Sequence, residues 1–70
     1  MKTYNNFCIT YIEDGSKKEA IYFCKLDAIK AYISLLICER NISSLKIFGI
    51  TRKNFILEDM TSTVNRFLSN

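Results

Sequence analysis

The chain has 70 residues, of which 49% are hydrophobic and 24% charged, with a net charge of +3. That length holds one domain, residues 1–70, and the composition is globular, neither disordered nor collagen-like. No apolar run approaches the ~18 residues that span a membrane, and the polar start, Met1 to Asn6, lacks the apolar core of a secretion signal.

Thr3 to Ile12 reads as a strand, because β-branched and aromatic residues dominate it. Glu13-Asp14-Gly15-Ser16 follows as a hairpin turn, since Asp-Gly supplies the positive φ that a tight turn needs. Lys18 to Cys24 reads as the return strand. Two registers are open. A loop of Asp14-Gly15 alone sets Phe7 opposite Tyr22 and Ile9 opposite Ala20. A loop of three residues, Asp14 to Ser16, sets Phe7 opposite Phe23 and Ile9 opposite Ile21, and pairs Glu13 with Lys17. We favour the second, because it gathers Phe7, Ile9, Ile21 and Phe23 on one face.

Leu26 to Arg40 reads as a helix, with Asp27 placed to cap its start and Asn41 suited to end it. Its apolar positions are Ala28, Ile29, Ala31, Tyr32, Ile33, Leu35, Leu36, Ile37 and Cys38, leaving a polar stripe through Asp27, Lys30, Ser34 and Asn41. A helix on one sheet needs an apolar stripe of somewhat over ~100°, and this one is wider. A second element or a partner must cover the flank. Ser43 to Thr51 reads as a third strand. Beyond it, Arg52-Lys53-Asn54 is a turn into a short strand, Phe55 to Glu58, with Asp59 capping a helix to Leu68. The alternative is one helix from Asn54, in which Ile56, Met60, Val64, Phe67 and Leu68 keep the 3.6-residue period. Thr61-Ser62-Thr63-Val64 are weak helix formers, which favours strand plus helix. The fold class is α+β: a small antiparallel sheet built from a hairpin and later strands, with a central helix on one face.

Catalytic chemistry is missing. Without histidine there is no Ser-His or Cys-His nucleophile. Cys8, Cys24 and Cys38 form no Cys-x-x-Cys pair, and three scattered cysteines are a poor zinc set. Their apolar neighbours mark them as small core hydrophobes in a reducing cytoplasm. Cys24, before Lys25 at a helix start, is the one candidate for an activated thiol, and its reading as a strand-end core residue outweighs that role. The adjacent carboxylates Glu13-Asp14 and Glu58-Asp59 suit turn and cap positions, not acid/base geometry. Gly15 and Gly49 cannot build a phosphate loop. The expectation is a non-enzyme with no metal and no cofactor.

Partner binding is what remains. Lys17 and Lys18 at the hairpin, and Arg52-Lys53 beside Phe55, suit phosphate and base contact, so a small basic nucleic-acid-binding regulator is the alternative function. Glu13, Asp14 and Glu19 offset the hairpin lysines, which favours protein contact. Tyr11, Tyr22, Lys17, Lys18, Arg52 and Lys53 are the candidate contact residues, tyrosine being enriched at interfaces. So small a domain is marginal without help, and a homodimer through Ile29, Ile33, Leu36 and Ile37 would supply it.

The order of strand, Asp-Gly hairpin (Glu13 to Ser16), return strand and helix opening on Leu26-Asp27 is similar to small phage-encoded inhibitors of host enzymes. Anti-CRISPR proteins and phage inhibitors of host DNA repair look like this in size and pattern. The resemblance covers most of the chain as architecture, carries no diagnostic motif and transfers no residue roles. It implies a cytoplasmic inhibitor whose partner is a host protein or nucleoprotein complex. The basic charge sets the chain apart from inhibitors that mimic DNA.

Overall fold

The computed structural model describes residues 4–51 and 57–69. The elements run β1 (Asn6–Glu13), β2 (Ser16–Tyr22), α1 (Lys25–Ile37), β3 (Ile42–Ile50), β4 (Leu57–Asp59) and α2 (Thr61–Ser69). The four strands form one antiparallel sheet in the order β2-β1-β3-β4. The α+β class expected from the sequence holds, as does the strand-plus-helix reading of the C-terminal part.

The hairpin turn decides the register, and it decides against the favoured one. Asp14 (φ 52) and Gly15 (φ 82) both occupy the left-handed region, as a two-residue type I′ turn requires. Glu13 therefore sits opposite Ser16, Phe7 opposite Tyr22 and Ile9 opposite Ala20. The turn's twist matches that of the strands, and this outweighs gathering two more apolar side chains on one face. Ile21 and Phe23 are left exposed, and Glu13 pairs with Arg40 at 2.9 Å, not with Lys17.

Phe7 and Ile9 of β1 and Ile47 of β3 point to the covered face, where they meet Ala28 and Tyr32 of α1 and Val64 of α2. Tyr4, Tyr11, Tyr22, Ala31, Leu35, Leu45 and Met60 pack around this cluster. A bulge in β3 keeps that alternation in phase: Ser44 (φ 52) and Leu45 together oppose Tyr11. Gly49 is buried because Tyr4 and Met60 occupy the space where a Cβ would stand.

The helix ends differ from expectation. α1 begins two residues before Asp27, with Cys24 as its extended N-cap, so Asp27 lies in the first turn and favours the helix through its charge. It stops at Ile37, before Arg40, and Asn41 is not left-handed. The extended Cys38 ends it, and the Asp14 N–H donates to the Asn41 carbonyl at 3.2 Å, tying the hairpin turn to the start of β3. At α2 the Asp59 cap is as expected: its Oδ1 accepts from the Thr61 N–H at 2.9 Å. Thr61 also holds the junction to β3, its Oγ1 accepting from the Ile47 N–H at 3.0 Å. The proposed turn at Arg52-Lys53-Asn54 and the start of its strand at Phe55 and Ile56 lie outside the described residues.

Candidate functional site

Both helices cover the same face of the sheet, so the other face is open. Strand alternation places Cys8, Thr10 and Ile12 of β1 there, with Lys17, Glu19 and Ile21 of β2 and Lys46 and Phe48 of β3. Leu57 and Asp59 extend it on β4. Thr10, Ile12, Lys17, Lys46, Phe48 and Leu57 are among the residues that line a broad, open concavity of about 500 Å³ on this face.

The pairing divides the face into two halves. Ile21, Cys8, Phe48 and Asp59 form one row across the sheet, with Ile50 and Leu57 next to it. That half is apolar apart from Asn6, in the row of Ile50 and Leu57, and Asp59, and Ile21 and Leu57 are half or more exposed. Glu19, Thr10 and Lys46 form the next row, and Lys17 lies beyond beside Ile12. This half is charged with both signs. Lys46 lies near enough to Asp59 to help hold its carboxyl low, behind the larger effect of the bonds from Thr61. The Cys8 thiol is pushed up, first by burial and then by the Glu19 carboxylate, so it stays protonated and acts as an apolar floor.

Of the expected contact residues, Tyr11, Lys17 and Lys18 border this concavity. Lys17 and Lys18 are consecutive in a strand and point to opposite faces. They cannot clamp one phosphate together. Tyr11 and Tyr22 point to the helix side and pack against the core. Arg52 and Lys53 lie outside the described residues. Phe48, Lys46, Ile21 and Leu57 went unremarked in the sequence as site residues. The signal was there in β3, where Leu45, Ile47 and Gly49 alternate with Lys46, Phe48 and Ile50, but only the sheet order shows which set lacks a covering layer.

A second surface lies on the helices. Leu26, Leu36 and Ile37 of α1 are exposed, the last at 77%, and Phe67 of α2 at 74%. A smaller cleft of about 140 Å³ between the two helices is lined by Lys25, Ile29, Met60, Thr63, Val64 and Phe67. The width of the apolar stripe on α1 is thus met only in part by α2.

Cys8 alone of the three cysteines is a core residue; Cys24 is exposed and Cys38 half-buried, and all three are free thiols. Cys24 carries no side-chain cap bond to α1. Among the described residues no three metal-ligating side chains cluster, and no helix is long and apolar enough to cross a membrane. No protein family, no curated protein and no solved structure matches the chain.

Proposed function

We propose that the chain is a non-catalytic binding module that acts by protein–protein contact through the open face of its sheet. The observation that carries this is the apolar half-face of Ile21, Cys8, Phe48 and Leu57 beside a charged half of mixed sign. Exposed apolar surface rimmed by charge suits a protein partner. A surface that tracks a nucleic-acid backbone needs cations of one sign in a row, whereas here Lys17 and Lys46 are interleaved with Glu19 and Asp59.

In this reading the partner is a host protein or nucleoprotein inside the cell, as the resemblance to anti-CRISPR proteins and other small phage inhibitors implies, and binding occludes its surface. The reading has a second part: two copies associate through the flank of α1 that α2 covers only in part, at Ile29, Ile33, Leu36 and Ile37, leaving both open sheet faces outward. Immobilised chain, offered nuclease-treated host lysate, tests the first part. A protein should be retained by the wild type and lost by Ile21→Lys and Leu57→Lys, both exposed positions that leave the fold intact by circular dichroism. Recovery of nucleic acid alone from untreated lysate, with no protein surviving nuclease, overturns it in favour of the nucleic-acid-binding alternative.

A further inference from the structure

We infer that the free edge of β2 takes an extended segment of the protein partner as an added antiparallel strand. This rests on the protein-contact reading above and names how the partner is held. β2 ends the sheet at one side, and its seven residues make a longer edge than the three of β4 at the other. The turn fixes which backbone groups face outward. Glu13 and Ser16, on either side of Asp14-Gly15, are the bonded pair that closes the hairpin, and bonded pairs alternate from there. Lys18, Ala20 and Tyr22 therefore exchange bonds with β1, while the N–H and C=O of Lys17, Glu19 and Ile21 point away from it. Among the described residues these outward groups have no backbone partner. A row of donors and acceptors at strand spacing is satisfied by another strand.

The side chains say which strand. Lys17, Glu19 and Ile21 stand exposed on the open face, in the order basic, acidic, apolar. Residues directly opposite across an antiparallel pair share a face, and opposite charges there attract. The complementary segment, read from its N-terminus, carries an apolar residue against Ile21, a basic one against Glu19 and an acidic one against Lys17, at alternate positions. A second copy's β2 does not supply that order. Paired about Lys18 or Glu19, it sets like charges opposite each other; paired about Ala20, it sets Glu19 against Ile21; registers nearer either end join only the strand tips. That is the protection charge gives an edge against its own copies. Lys17 and Glu19 also border the concavity of the open face, so the added strand widens that face and continues its apolar row beyond Ile21.

Amide hydrogen exchange of the intact chain, followed by NMR with synthetic peptides in excess, tests this. A capped peptide centred on Val-Thr-Lys-Thr-Glu carries the complementary order, and one centred on Val-Thr-Glu-Thr-Lys exchanges the charges. The first should slow exchange at Lys17, Glu19 and Ile21 about tenfold or more. The second should bind about fivefold more weakly. Glu19→Pro removes the central outward donor and leaves the bonds between β1 and β2 in place. It should abolish the effect, while slow exchange at Lys18 and Ala20 marks an intact hairpin. Glu19→Gln keeps the backbone donor and should narrow the preference between the peptides to about twofold. No slowing by either peptide overturns the inference, as does slowing that survives Glu19→Pro or that both peptides give equally. Slowing that grows with the chain's own concentration, without peptide, marks a second copy on this edge and overturns it too. Host protein whose retention is lost by Leu57→Lys but indifferent to Glu19→Pro overturns the edge and leaves the open-face reading standing.

Discussion

Replacing Gly49 by alanine tests how the N-terminal end of the chain is held. A Cβ at Gly49 would stand 2.6 and 2.7 Å from Cδ1 and Cγ of Tyr4 and 2.8 Å from Sδ of Met60. Carbon atoms in contact sit about 3.5–4.0 Å apart, so the overlap is close to 1 Å. The Met60 sulfur lies toward the end of a flexible side chain and can yield. The Tyr4 atoms are at the root of a ring that packs edge-on to Phe7, with centroids 6.0 Å apart. The ring must therefore move as a unit. Overpacking of this kind costs about 1–3 kcal/mol, and loss of the ring pair about 0.5–1.5 kcal/mol more. The gain from replacing a strand glycine offsets about 0.5–1 kcal/mol. The net is about 2 kcal/mol, or on the order of 10 °C in Tm for a domain of this size. Urea denaturation of the wild type, Gly49→Ala, Tyr4→Ala and the double variant measures it. In the Tyr4→Ala background the Gly49→Ala cost should fall to near zero or change sign. An equal cost in both backgrounds would refute the account.

Gly15→Ala forces a Cβ into the left-handed region at φ 82 with nothing else nearby. It should cost about 1–2 kcal/mol in thermal denaturation, wholly from backbone strain. Asp59→Ala removes the carboxylate that accepts the Thr61 N–H and should cost about 0.5–2 kcal/mol near neutral pH. Those bonds hold the Asp59 carboxyl below its ordinary value of 3.8. Its contribution is therefore present above that value and lost as pH falls through the lower folded value, so the gap between wild type and variant should close only in that acid range. A gap that closes between pH 5 and 7 counts against the cap. Thiol labelling should modify Cys24 first, Cys38 more slowly and Cys8 only at the rate of unfolding. Rapid labelling of Cys8 in the folded protein would contradict its burial between Ile21 and Phe48.

The hairpin was legible because Asp14-Gly15 is a local signal whose geometry needs no tertiary context. Its register was misread by weighing the apolar count of Ile21 and Phe23 above turn geometry, although the same dipeptide fixes both. The excess apolar width of α1 was also legible, being a property of one helix. Its ends were not, because Asp27 and Asn41 are plausible caps by residue type, while the start at Lys25 and the stop at Ile37 follow from packing and from the bond of Asp14 to the chain before β3. The site was the least legible part. Tyr11 and Tyr22 look outward in a sequence, yet Tyr22 is turned toward the helices by the Asp14-Gly15 register, and Tyr11 by sharing its side of β1 with Phe7 and Ile9. Phe48 and Leu57 look like core residues, and only the placement of α1 and α2 on one face leaves them uncovered.

The position of β1 between β2 and β3 has a kinetic consequence. Its β2 side closes through a two-residue turn, the shortest loop a chain can make, and should form in about 1–10 μs. Its β3 side pairs Ile9 with Ile47 only after all of β2 and α1 has been gathered between them, so the entropy of that long closure must be met before the central pair is made. The hairpin alone is marginal in water, and although α1 can pack on its Phe7 and Ile9, the core they share is completed only when Ile47 joins it. The docking of β3 on β1 is thus the step expected to limit the rate, and substitutions at Ile47 should slow folding, while those at Gly15 should chiefly alter the hairpin that precedes it.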